Sequence, residues 1–243
     1  AEDGIRDIGV TGVQTCALPI SGVDSSTQSV KVVLRDAQSG ELIAQTSRPH
    51  PDGTEVNPQA WKEALDSALS EFSSQKIEAI SIGGQQHGMV ALDSKGGVIR
   101  KALLWNDTRS SKEADEINSE FPNIHLRTGS RLVASFTASK VRWMAKHETE
   151  NASRVASIAL PHDWLSWQLM GGKDISTIFT DRSDASGTGY FDPNSNQYCG
   201  DIFSFALPGK SEVHLPRIVP PGEIAGYRSE EHTSELQSRQ YLV

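Results

Sequence analysis

Cysteine is scarce in this chain: its 243 residues hold two, Cys16 and Cys199. They form neither a disulfide framework nor the close spacing of a metal knuckle. Positive charge is scarce too. Lys and Arg number 23 against 31 Asp and Glu, a net charge of −8, and no basic patch breaks that balance. Nucleic acid and anionic membrane surfaces are thereby excluded as natural partners. No apolar run reaches the roughly 18 residues that a membrane span needs. The N-terminus lacks the charged-then-apolar design of a secretion signal. No internal repeat or low-complexity tract is present. A mean hydropathy of −0.40 fits a globular chain, and a cytoplasmic location fits best.

What is present divides into three segments. Residues 1–20, AEDGIRDIGVTGVQTCALPI, carry no usable helical or strand period. They read as the translation of a common sequencing adapter, and residues 228–243, RSEEHTSELQSRQYLV, as its reverse complement. Both segments are expected to be non-native and are set aside. Residues 21–227 are then the expected domain, a piece of a longer protein.

Within that domain, residues 30–34 are a β-branched run, 36–40 a turn and 41–46 a second strand, which predicts a hairpin. Asn57 and Pro58 open a helix through about Phe72, with Trp61, Leu65, Ala68, Leu69 and Phe72 on its apolar face. Residues 77–82 read as a buried strand. Residues 89–92 and 98–99 flank the turn 93–97 as another hairpin. Helices are expected at 111–120, 137–147 and 163–170, the last ended by Gly171 and Gly172, with a short strand at 157–160. Residues 184–189 and 194–196 are turn-rich. The order is that of a mixed α/β domain with three leading antiparallel strands.

Two stretches concentrate polar chemistry: residues 83–89, GGQQHGM, and residues 102–109, ALLWNDTR. Each adjoins an apolar run. Amides and carboxylates bind hydroxyls in pairs, and an indole covers a C–H face. A pocket for a polyhydroxylated ligand needs such a set. Residues 22–34, GVDSSTQSVKVVL, place Asp24 at a strand end before a turn of small hydroxyl residues. Such a turn can hold phosphate oxygens, and Asp24 can hold Mg²⁺ through water. A plain hairpin turn has the same composition, and the GxxxxGK pattern of a P-loop is absent.

Residues 135–147, SFTASKVRWMAKH, match the first signature of the FGGY carbohydrate kinases through Ser135, Thr137, Lys140, Val141, Trp143, Met144, Lys146 and His147. Residues 22–34 resemble that family's first phosphate loop. LPHDWL at 160–165 and DRSDASGT at 181–188 are family-like, and GGQQHGM and WNDTR are similar to its xylulokinase branch. The resemblance covers the whole of 21–227. It implies an α/β N-terminal sugar-kinase domain of the ribonuclease-H-like, actin-like ATPase superfold, with a mixed sheet and flanking helices. It implies ATP-dependent phosphorylation of D-xylulose to D-xylulose 5-phosphate by the intact parent, with ATP and Mg²⁺ as cofactors. Gln86 and His87 are expected to meet the ketose, with Trp105, Asn106 and Asp107 lining the same pocket. Asp24 is expected to hold Mg²⁺ and organise the transferred phosphoryl group, and Thr27 to sit at the phosphate loop. Lys140 and Trp143 fit structural and functional roles equally. Asp163 should cap its helix, Asp184 and Thr188 should shape a turn, and Cys199 is a bystander.

The family's general base is an Asp in a Gly-rich segment beyond this domain. No such segment follows PPGEIAGY at 220–227. No catalytic base is therefore assigned, the C-terminal kinase domain becomes a missing partner, and the chain alone is expected not to turn over. A homodimer of the parent is left open. Two alternatives stand: another FGGY kinase, of ribulose, gluconate or glycerol type, and a non-catalytic sugar-binding domain.

Overall fold

The structure, a computed structural model, describes residues 18–210, 212–228 and the backbone of 241–242. Cys16 and most of both terminal segments lie outside the described residues. Strands β1 (Pro19–Ser25), β2 (Ser29–Asp36) and β3 (Leu42–Pro49) form the expected antiparallel meander. Val30, Val32 and Leu34 alternate onto one face of β2 and are buried there. After the short β4 (Glu55–Val56), helix α1 (Pro58–Ser70) covers that face. Asn57 caps it as predicted, its side-chain oxygen accepting the Gln59 N–H at 3.1 Å. Trp61, Leu65, Ala68, Leu69 and Phe72 are all buried against the sheet. Strand β5 (Ala79–Gly84) then returns parallel to β1, with Asp24 opposite Gly83.

Three pieces follow that build a wall: β6 (Val90–Leu92), β7 (Ala102–Leu103) and, later, β8 (Ser157–Ala159), which pairs antiparallel with β6. Side chains leave the first two strands alternately. Val90, Leu92, Ala102 and Leu104 enter a core shared with β1, β2, β5 and α1. Met89, Ala91 and Leu103 enter a second core. Strands buried on both faces carry no polar alternation. The second core is closed by α2 (Ser111–Glu120), α3 (Ile124–Thr128), α4 (Thr137–His147) and α5 (Thr149–Arg154). Residues of α6 (Pro161–Leu169), including Trp164, Leu165 and Trp167, fill the first. The chain continues through β9 (Phe179–Asp181), α7 (Arg182–Ser186), β10 (Phe191–Asp192), β11 (Gln197–Tyr198), α8 (Gly200–Ala206), β12 (Arg217–Val219) and β13 (Gly226–Tyr227). Strand β14 (Tyr241–Leu242) runs parallel to β5, and the main sheet reads β13-β14-β5-β1-β2-β3.

The structure refines the sequence reading in three places. Residues 98–99 make the expected hairpin with 91–92, through the antiparallel Leu92–Val98 bridge and the Ile99 N–H on the Ala91 carbonyl at 2.9 Å, although they are too short to count as a strand. The Asp93 carboxylate accepts the N–H groups of Lys95 and Gly97, both at 2.9 Å, and reinforces the turn that the Asp93 N–H closes on the Gly97 carbonyl at 2.9 Å. Residues 182–186 are a short helix that runs into the stretch 184–189 read as turn-rich, because Asp181 accepts the Asp184 N–H at 2.9 Å and starts one. Parts of both terminal segments lie in the sheet: Pro19 and Ile20 pair with Asp36 and Arg35, and Tyr241 and Leu242 with Ala79 and Ile80.

Candidate functional site

The wall brings the two polar motifs together. Met89 bridges Leu103, with its N–H on the Leu103 carbonyl at 2.9 Å. Residues 85–87 therefore precede, and Trp105 follows, one pair of neighbouring strand ends. The end of β1 lies alongside, since the Gln85 N–H donates to the Ser25 carbonyl at 3.0 Å. Asp24, Ser26, Thr27, Gly84, Gln85, Gln86, His87 and Trp105 consequently line one cleft of about 380 Å³. Five of the seven expected site residues are in it.

Each lining residue is held differently. Trp105 is 46% exposed, and its indole N–H donates to Thr27 Oγ1 at 2.9 Å. This bond ties the WNDTR motif to the hydroxyl turn and leaves an aromatic face toward solvent. The turn is tight, with the Ser26 N–H and hydroxyl both on the Ser29 carbonyl at 3.0 Å. His87 has a left-handed backbone, φ 63°, an unusual conformation for a residue with a side chain. Its Nδ1 lies 2.6 Å from the Gly187 carbonyl. A carbonyl only accepts, so Nδ1 carries the proton, and in the neutral ring Nε2 is an acceptor. Phe136 packs on the ring at 4.8 Å between centroids, and the Thr137 hydroxyl donates to the His87 carbonyl at 3.2 Å. Gly187 is required there: a Cβ on it would stand 2.7 Å from His87 Nδ1.

Gln85 is the residue that sequence reasoning passed over in favour of Gln86. Gln86 is exposed, whereas Gln85 is 8% exposed. Both polar atoms of the Gln85 amide are buried without a hydrogen-bond partner. A buried amide left unpaired is destabilising unless a ligand satisfies it. The available signal was position. Gln85 directly follows β5, where a side chain is still fixed by the strand, and Gln86 lies one step further out.

Asn106 and Asp107 are not among the cleft-lining residues. Asp107 is 4% exposed and fully engaged: Thr54 Oγ1 donates to it at 2.8 Å, and Arg109 donates through Nε at 2.8 Å and Nη2 at 2.9 Å. Burial works to raise its carboxyl pKa, but the bonds from Arg109 and Thr54 outweigh burial and hold it below the ordinary range. Arg109 continues to Glu55, and Glu55 to Arg100. The two guanidinium carbons lie 5.0 and 5.6 Å from the centroid of the Trp143 ring. Asp107 thus belongs to a scaffold beside the cleft, as does Trp143. Asn106 is half-buried, with Oδ1 lacking a partner.

Lys140 is likewise internal. It is fully buried, and Nζ donates to the carbonyls of Ala134 at 2.7 Å and Ser135 at 2.6 Å. It fastens the loop that delivers Phe136 and Thr137 to His87. Burial pushes its pKa down to about 7. A neutral amine still has two N–H groups for those two carbonyls. Asp163 accepts the Leu160 N–H at 2.8 Å, which is the expected helix cap. Thr188 donates to the Ala185 carbonyl at 2.7 Å and so shapes the end of α7. Cys199 is a buried free thiol.

The cleft can bind a polyol through a buried amide and an oriented imidazole, beside a carboxylate and two hydroxyls. That carboxylate, Asp24, is exposed at its strand end. Oxygen donors that leave room for water suit a hydrated Mg²⁺. Among the described residues no helix is long and apolar enough to cross a membrane.

Comparison with known proteins gives a consistent result. The model of the FGGY family of carbohydrate kinases, N-terminal domain, matches residues 20–238. The xylulose kinase of Streptomyces coelicolor is 41% identical over 216 residues, which are 85% of this chain and 44% of that protein. A xylulose kinase sequence from an Arthrobacter species is 58% identical over 93 residues, 38% of this chain and 97% of that sequence. The crystal structure of xylulose kinase from Bifidobacterium adolescentis superposes with a TM-score of 0.87 at 35% identity, over 93% of this chain and 52% of that one. The chain spans about half the length of the Streptomyces coelicolor and Bifidobacterium adolescentis proteins.

Proposed function

The chain belongs to the FGGY family of carbohydrate kinases, and on that footing we propose that the whole protein phosphorylates D-xylulose at the expense of ATP. One observation carries the sugar half of this reading: the buried, unpartnered amide of Gln85 in a cleft with an oriented His87 and an exposed Trp105. The amide can donate to one hydroxyl and accept from its neighbour. Nε2 of His87 accepts from another hydroxyl, and the Trp105 face covers the C–H side of the sugar. Gln86 reaches the cleft from its exposed rim.

Asp24 and Thr27 form the phosphate side of the same cleft. Bound ATP and Mg²⁺ would supply the phosphoryl group and neutralise its charge. Asp24 would hold the hydrated ion, and the turn 25–28 would keep the phosphate end close to the ketose hydroxyl. Proximity of this kind is a large part of phosphoryl transfer. Among the described residues, Asp24 is the one carboxylate lining the cleft. We assign it to the ion, so the proton of the attacking hydroxyl needs a base from elsewhere.

Calorimetric titration of the 243-residue chain with D-xylulose, D-ribulose, D-gluconate and glycerol tests the reading. D-xylulose should bind most tightly, and His87→Asn should weaken it about tenfold or more, the range for losing one or two bonds to a polar ligand. Asn tolerates the left-handed backbone, so the change removes the imidazole alone. Equal binding of all four ligands, or none, would overturn the sugar assignment. A coupled assay for ADP release by this chain should show no turnover.

A further inference from the structure

The loop that carries Gln85 and His87 is gripped from two sides. On one side stands the start of α6. A Cβ on Gly84 would lie 2.8 Å from the His162 Cβ, and one on Gly88 would lie 2.6 Å from the Pro161 Cγ. Glycine at both positions lets the loop backbone come this close. On the other side stands the end of α7, where the Gly187 carbonyl meets His87 Nδ1 at 2.6 Å. The placement of α7 against α6 therefore decides whether that carbonyl reaches the ring.

The two helices are joined at their starts by charge. His162, in the first turn of α6, is 4% exposed. Its Nδ1 lies 2.6 Å from Asp184 Oδ2 in the first turn of α7, and 3.0 Å from Asp163 Oδ1 on its own helix. Its Nε2 lies 3.6 Å from Asp181 Oδ2 at the cap of α7. Arg182, also in α7, gives its guanidinium to the Pro193 carbonyl at 2.6 Å. Burial works to lower the imidazole pKa, but Asp163, Asp184 and Asp181 outweigh it and raise it above the ordinary value. The ring is thus a buried cation among three carboxylates.

Asp184 also acts through its backbone. Its carbonyl accepts the Gly187 N–H at 3.0 Å. One residue therefore holds the imidazolium with its side chain and Gly187 with its main chain. An unbroken line of contacts runs from His162 through Asp184 and Gly187 to His87. The far end of the same turn is fastened to α4, since the Ala138 N–H donates to the Thr188 carbonyl at 2.8 Å.

We propose that His162 and Asp184 are positioning residues for the cleft. Their ion pair fixes α7 against α6, so that the Gly187 carbonyl keeps the His87 proton on Nδ1 and leaves Nε2 bare for a ligand hydroxyl. The use of that bare nitrogen rests on the reading of His87 as a sugar ligand. A neutral imidazole can carry its proton on either nitrogen, and the bond made by one of them decides which. Asp184 is also the partner that can be removed safely. Two carboxylates remain beside His162 without it, so no buried cation is stranded.

The test reads the imidazole nitrogens by NMR of the full, isotope-labelled chain without sugar, at about pH 8.5, where an ordinary imidazole is neutral. The His87 signal is assigned by its loss in His87→Asn. In the parent, His87 should carry its proton on Nδ1, and His162 should carry one on each nitrogen. Asp184→Ala should turn His87 into a mixture of the two tautomers and weaken D-xylulose binding about tenfold, with the parent's circular dichroism retained. Asp184→Asn, which keeps an oxygen to accept from Nδ1, should restore most of the parent's signal. His162→Gln should disturb the His87 ring as Asp184→Ala does, and joining the two changes should add little, as expected of one shared interaction. An unchanged His87 ring in Asp184→Ala would overturn the proposal, and so would a neutral His162 in the parent. A disturbed ring in a chain whose parent binds no D-xylulose would support the positioning and overturn the sugar reading instead.

Discussion

Gln85 puts stability and binding in opposition. Its amide is buried and unpaired, so Gln85→Leu removes a desolvated polar group from the folded state. Urea unfolding should show a gain of about 1–3 kcal/mol, while the D-xylulose affinity measured by calorimetry falls about tenfold or more. A loss of both together would mean that the amide is satisfied inside the protein. Lys140 gives a second residue-scale prediction. Its pKa falls from 10.5 in the unfolded chain to about 7 in the fold because it is buried, with Asp107 opposing and Arg109 assisting that fall. Between those values the unfolded chain carries a proton that the folded chain has released. Stability therefore rises with pH across that window and is lowest below it. Lys140→Met should flatten the slope in urea unfolding series at about pH 6, 8 and 9.5. An unchanged slope would show that the titrating group is another one. Of the residues that line the cleft, Asp24, Thr27, Gln86, His87 and Trp105 were legible from their motifs. The burial of Gln85 and the ion pairing that places Asp107 beside the cleft were not legible, because they depend on residues such as Thr54 and Glu55 that lie far along the chain.

At the scale of elements, the wall made by β6 and β7 is the unusual part. Neighbours in sequence, Leu103 and Leu104, serve different cores. Leu103→Ala and Leu104→Ala should each cost about 2–5 kcal/mol, but hydrogen exchange should separate them. The first should loosen α2 and α4, and the second β1, β2 and α1. An identical exchange pattern would mean that the two cores unfold as one. The sequence showed α1 and α4 well because each has a solvent face, so apolar residues recur at helical spacing, and α2 as a polar helical stretch. It showed the wall as two apolar runs, since a strand buried on both faces leaves no alternation to detect. It read residues 184–189 as turn, although Asp181 is a good helix start. A helix of five residues is too short to display a period.

At the scale of the whole molecule, the site is a seam. Asp24 and Gln85 end strands of the first core, while the Phe136 and Thr137 contacts that hold His87 come from elements of the second. The fold class was legible because hairpin, capped helix and buried strand occur in the order of a mixed α/β domain. The meeting of residues 85–87 with Trp105 was legible only through likeness to a family, because no local pattern says that Met89 and Leu103 are neighbours. The wall also sets what kind of error the chain can tolerate. One residue inserted between Met89 and Leu92 would send every later side chain of that strand to the opposite face. On a half-solvated strand such a slip exposes one row. Here it would exchange large and small groups between two interiors and displace the floor of the cleft in the same event. The spacing of these few residues is thus under stricter control than their identity.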